Sequence, residues 1–178
     1  MAEQKTITPI DGSVLVTRKL ATKKQIADAL AMARKAQTAW KHVPVAERGR
    51  IIGKAVDYFV ANKQEIAEEL TRQMGRPVGQ SPGEMRGFEE RARYMIEIAP
   101  SALGDVPVEP KPGFTRFIRR EPLGVVFIVA PWNFPYLTSV NGVVPALMAG
   151  NAVILKHSAQ TPLCAERFAA AFKEAGLP

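Results

Sequence analysis

Residues 124–156 read GVVFIVAPWNFPYLTSVNGVVPALMAGNAVILK, and their pattern sets the fold. Residues 124–130 are a short uncharged run rich in β-branched side chains, as expected of a strand buried on both faces of a parallel sheet. The following PWNFP, residues 131–135, breaks that strand, because two prolines so close cannot remain in a ladder. Residues 136–149 place Leu137, Val140, Val144 and Leu147 at helical spacing, with Pro145 expected to kink the helix. Gly150 and Asn151 are a stop, and residues 152–155 form a second apolar strand. A strand–helix–strand crossover makes the strands parallel and puts their C-terminal ends on one edge of the sheet. Asn133 and Lys156 each lie just past such an end, where open α/β sheets bind ligands.

Upstream, residues 6–18 read as two extended segments around an Asp11-Gly12 turn. Thr22 and Gln25 fit a capping box, followed by a helix with Ile26, Ala29, Leu30, Ala33 and Trp40 along one stripe. A second helix begins near Pro44 and buries Ile51, Ile52, Ala55, Val56 and Phe59. Asn62 and Glu65 are expected to cap a third, which buries Ile66, Leu70 and Met74 and ends at Gly75 and Pro77. Ser81 and Glu84 read as another capping signature, opening a helix through Phe88, Ala92, Met95 and Ile96 that closes at Pro100. Residues 105–120 then become rich in proline and glycine before FTRFIRR, a ribbon with arginines on both faces. Such a ribbon cannot bury its apolar side within the chain and is expected to project and pair elsewhere. After Lys156, Thr161 is the expected N-cap and Pro162 the first residue of a last helix, with Leu163, Phe168, Phe172 and Ala175 inward.

A length of 178 residues allows one compact domain with a substantial core. The formal net charge of +7 raises a nucleic-acid reading. The basic residues are instead interspersed with Glu and Asp on amphipathic helices, and the one tight cluster, Arg116, Arg119 and Arg120, lacks interleaved stacking aromatics. Nucleic acid is therefore not an expected partner. The single cysteine, Cys164, excludes an internal disulfide and offers no metal cluster. Residues 122–155 contain no charged side chain, yet prolines 131, 135 and 145 and three asparagines interrupt any apolar span. The polar start MAEQKT has no signal-like apolar region, so the expectation is a soluble, cytoplasmic chain that does not engage membrane.

PWNFP, the run PALMAGNAVILK at 145–156 and Gln160-Thr161-Pro162 occur in an order and spacing that resemble the aldehyde dehydrogenase superfamily. The resemblance covers the whole chain but only the N-terminal portion of such an enzyme, ending before the family's nucleophilic cysteine and general-base glutamate. It implies an α/β fold: part of a Rossmann-like parallel sheet with flanking helices, N-terminal helices and a projecting β-hairpin. The implied division is an N-terminal helical part (1–104), an oligomerisation hairpin (105–121) and the first βαβα part of a NAD(P)-binding domain (122–178). The implied activity is oxidation of an aldehyde to a carboxylic acid with NAD or NADP, in a homo-oligomer (dimer or tetramer) when full length. The chain alone is expected to be inactive. A rival reading is a truncated, non-catalytic chain that binds nucleotide weakly or pairs with full-length subunits through residues 114–120.

By the same resemblance, Asn133 is the oxyanion donor, whose side-chain N–H faces the oxygen where charge develops under thiolate attack. On spacing alone the turn-capping role is the favoured reading of Asn133. Val129, Ala130, Pro131 and Trp132 are implied to line the cofactor, although Trp132 by itself reads as core. Lys156 is implied to meet the adenine-side ribose, where three N–H donors suit hydroxyls or a 2′-phosphate. Ala159 departs from the glutamate that many NAD-preferring members carry, which leaves NADP open. His157 is read as a loop histidine, and Cys164 is rejected as a nucleophile because it sits inside a helix without the family's nucleophile context. No glycine-rich dinucleotide fingerprint occurs at the strand–helix turn.

Overall fold

A computed structural model describes residues 2–178. In chain order the elements are β1 (Glu3–Ile7), β2 (Val14–Lys19), α1 (Lys23–Trp40), α2 (Val45–Ala61), α3 (Lys63–Met74) and α4 (Ser81–Ala102). There follow β3 (Val106–Pro107), β4 (Phe117–Ile118), β5 (Val125–Val129), α5 (Pro135–Met148), β6 (Ala152–Lys156) and α6 (Pro162–Glu174). β1 and β2 form an antiparallel hairpin closed by a turn in which Gly12 takes a positive φ of 77°. β3 and β4 form a second, short hairpin, and β5 and β6 pair in parallel.

The parallel register joins Val125 to Ala152 and runs to Val129 opposite Lys156. Ile128, Val153 and Leu155 point from one sheet face into the core. α5 crosses this face so closely that a Cβ on Gly142 would lie 3.1 Å from Ile128 Cδ1, which makes glycine the residue that fits there. Asn151 fastens the crossover. Its Oδ1 accepts from Gly124 N at 2.9 Å, and its Nδ2 donates to Ala146 O at 3.0 Å.

The core is helical and aromatic. Phe59 of α2, Phe88 of α4, Tyr136 of α5 and Phe168 of α6 meet with ring centroids 4.6–5.8 Å apart, in the tilted and edge arrangements that aromatic quadrupoles favour. Ile52, Ile66 and Leu70 surround them without exposed surface. Trp40 closes α1 onto α5 by donating its indole N–H to Leu147 O at 2.9 Å.

Several sequence expectations are corrected. β5 is not buried on both faces, since Phe127 and Val129 are each 63% exposed and the described elements leave that side of the sheet open. α4 does not stop at Pro100 but carries it and ends at Ala102. α5 holds Pro145 inside it, as expected. Ile26, placed on the buried stripe of α1, is exposed. Ser81 lies inside α4 rather than at its cap, and Asn62 uses its amide to donate to Tyr58 O of the preceding helix. The Thr22–Gln25 capping box forms in both directions.

Candidate functional site

The parallel pair ends where Ala130 N donates to Lys156 O at 3.0 Å. Beyond this last rung the chain turns outward through Pro131, Trp132, Asn133 and Phe134 before α5 begins. The loop is short because Pro135 takes the first helical position, where a missing N–H costs nothing. Ala130 is buried, whereas Val129, Trp132 and Phe134 expose about half or more of their surface. Trp132 is thus an edge residue rather than core.

Asn133 is exposed at this edge. Its Oδ1 accepts from Phe134 N at 3.1 Å, which fixes the amide's orientation and leaves Nδ2 as a donor. No acceptor among the described residues takes Nδ2. The Asn133 carbonyl accepts from Arg76 Nη2, and the Arg76 guanidinium also lies 4.5 Å over the Phe134 ring. Arg76 in turn pairs with Glu84, whose side chain is fully buried. Glu84 Oε1 accepts from Tyr136 N at 2.8 Å and Leu137 N at 3.0 Å, so a carboxylate from α4 caps the N-terminus of α5. Arg76 and Glu84 were missed at the sequence level. Glu84 satisfied a local capping pattern with Ser81, and nothing in the spacing shows that it serves another helix.

On the neighbouring strand Lys156 is exposed and sits on the open sheet face that also carries its register partner Val129. Ala159 is exposed too, and its carbonyl is pinned by Gln4 Nε2 at 2.8 Å and Thr6 Oγ1 at 2.9 Å. The N-terminal hairpin therefore holds the loop after β6. His157 lies in the loop after β6, as read from the sequence, but its ring faces inward. It is buried, with Nε2 3.2 Å from Ser139 Oγ and Nδ1 3.4 Å from Thr161 Oγ1. Burial disfavours its charged form and lowers its pKa to about 4. It is neutral and turned away from the edge, so it is no candidate for meeting a phosphate.

Cys164 has no exposed surface, and burial pushes its thiol up to about 12. A thiol so far from ionisation is not a nucleophile near neutrality. Among the described residues no group of three or more His, Cys, Asp or Glu side chains converges as a metal site, and no helix is long and apolar enough to cross a membrane.

The geometry therefore offers one free side-chain N–H, one ammonium and exposed apolar groups at the C-terminal edge of a parallel pair, the location where open α/β sheets take ligands. The profile of the aldehyde dehydrogenase family matches residues 2–178, and the chain belongs to that family. It is 34% identical over 157 residues to alpha-ketoglutaric semialdehyde dehydrogenase of Bacillus subtilis, covering 88% of this chain and 32% of that protein. The NAD-dependent benzaldehyde dehydrogenase of Corynebacterium glutamicum superposes with a TM-score of 0.91 at 31% identity, over 99% of this chain and 39% of that one. Succinic semialdehyde dehydrogenase of Streptococcus pyogenes, solved with NADP+ as cofactor, gives a TM-score of 0.91 at 27% identity, over 98% and 38% of the two chains. The chain thus spans about a third of the length of the curated relatives it matches, for example 32% and 36% of two of them.

Proposed function

We propose that the chain is the N-terminal part of a NAD(P)-dependent aldehyde dehydrogenase that oxidises an aldehyde to a carboxylic acid, contributing the oxyanion donor and one wall of the cofactor cleft. The observation that carries this reading is the convergence of Asn133 and Lys156 on one edge through the Val129–Lys156 register. The residues present fit a dinucleotide. Val129 and Trp132 offer exposed apolar surface, Lys156 offers an exposed ammonium, and Ala159 places no carboxylate beside it. A nicotinamide, when bound, supplies the acceptor for the aldehyde hydride.

In this reading Asn133 Nδ2 donates to the carbonyl oxygen of the substrate as that oxygen gains charge. An amide held by its own Oδ1 contact needs no reorganisation at that moment, and one such donor contributes ~3 kcal/mol to the transition state. Lys156 donates to ribose hydroxyls or a 2′-phosphate. Oligomerisation through the β3–β4 hairpin belongs to the same proposal, supported by exposed Phe114, Phe117 and Ile118. The test is Asn133→Ala in an enzyme that carries this segment. We expect kcat to fall roughly 10²–10³-fold with cofactor affinity unchanged. Normal turnover would return Asn133 to a turn-capping role.

A further inference from the structure

Two residues outside the edge hold the Asn133 loop from below. Glu84 Oε1 takes both free N–H groups at the start of α5, and its Oε2 faces the Arg76 guanidinium. Arg76 spends its second amino group on the Asn133 carbonyl and its flat face on Phe134. The Glu84 side chain is fully buried and that of Arg76 is 11% exposed, so this is a largely desolvated pair in which both carboxylate oxygens accept hydrogen bonds. Pro135 and Tyr136, two and three residues beyond Asn133, are buried, so the C-terminal side of the loop is anchored in the core. On the N-terminal side the last ladder bond is at Ala130. Between these anchors, the Arg76 contact is the one long-range hydrogen bond among the described residues that reaches Asn133 itself.

We propose that Arg76 and Glu84 are positioning residues that together fix the backbone of Asn133 and thereby the direction of its side-chain N–H. The proposal rests on the reading of Asn133 as the oxyanion donor for its catalytic meaning, but the positioning itself is separately measurable. Guanidinium planarity is essential to it. One fork spans a carboxylate and a carbonyl at once, which a lysine ammonium does not reproduce with the same geometry.

Two variants separate positioning from general support of the fold. Glu84→Gln keeps an amide oxygen to accept from Tyr136 and Leu137 while removing the charge that holds Arg76. Arg76→Lys leaves the α5 cap untouched. In the 178-residue chain labelled with 15N-asparagine, the Asn133 side-chain amide is identified by its loss in Asn133→Ala. We expect the order parameter of the Asn133 backbone amide, carried by the same label, to fall from about 0.85 to below about 0.6 in both variants. Amide exchange at Tyr136 and Leu137 should stay within about threefold of wild type, as cap retention requires. A rigid Asn133 amide in both variants overturns the proposal, as does a collapse of Tyr136 and Leu137 protection in both.

In an enzyme carrying this segment, Arg76→Lys should lower kcat by up to about 10²-fold with KM unchanged. It should add little on top of Asn133→Ala, because both act on one donor. Additive losses overturn the positioning role while leaving Asn133 catalytic. Normal turnover in Asn133→Ala instead removes the catalytic reading, and the order parameters then decide positioning alone.

Discussion

At position 159 the side chain is a methyl group, on a loop whose carbonyl is pinned by Gln4 and Thr6. The pinning fixes where a longer side chain would begin. In the proposed function, where Lys156 meets the ribose, a carboxylate there would face a 2′-phosphate with a repulsion of a few kcal/mol, about the size of two charges at close range under an effective dielectric of ~20. Ala159→Glu should therefore lower the NADP/NAD ratio of kcat/KM in an enzyme carrying this segment, measured at fixed ionic strength. An unchanged ratio would mean that residue 159 does not face the ribose. His157, two positions earlier, makes a different prediction. The fold keeps its ring neutral down to about pH 4, whereas the unfolded chain takes up the proton near 6.5. The unfolded state then binds more protons, so stability present above pH 6.5 is lost as pH falls toward 4, by up to about 3 kcal/mol. Denaturant titrations across that range should show a shallower acid loss for His157→Gln than for wild type.

At the scale of elements, the helix N-termini nearest the edge are capped by other helices. Glu84 of α4 serves α5. Gln73 of α3, without exposed surface, accepts from Leu163 N of α6 at 2.9 Å. Thr161, the expected N-cap of α6, makes no side-chain cap bond and faces His157 instead. Replacing Gln73 with Met keeps volume but strands the Leu163 N–H in a buried setting, at a cost of roughly 1–3 kcal/mol. Urea unfolding followed by far-UV circular dichroism should show that loss, while Gln73→Glu, which retains an acceptor oxygen, tests whether the oxygen alone matters. A Gln73→Met variant as stable as wild type would mean that the Leu163 N–H finds another acceptor. Borrowed caps also tie α3, α4, α5 and α6 into one unit around the aromatic cluster.

At the scale of the whole molecule, the chain has one cysteine, and it lies within α6, buried, with a thiol pushed up to about 12. The isolated chain should therefore show no aldehyde oxidation with NAD or NADP on short aliphatic or aromatic aldehydes. Turnover that disappears in Cys164→Ala would overturn this. The same chain leaves Phe127 and Val129 exposed on one sheet face, and Phe114 and Ile118 exposed on the hairpin. The sheet face is where the sequence reads as more buried than the fold makes it, whereas the hairpin's exposure was expected.

The crossover was legible from its own residues, because apolar runs, prolines and the Gly150-Asn151 stop are local signals that act over a few positions. The parallel direction of the two strands and the exit of Asn133 and Lys156 at one edge followed from those signals, whereas the residue register came from the structure. The helices of the N-terminal part were likewise legible, with Phe59, Ile66 and Leu70 on their buried stripes. Tertiary structure alone decided the rest. His157 turned inward, Trp132 outward, and Glu84, Gln73 and Arg76 found partners 52, 90 and 57 residues away along the chain. A polar side chain in a folded chain goes to whichever unsatisfied N–H or carbonyl lies within reach once the core has packed, and sequence spacing does not encode that distance.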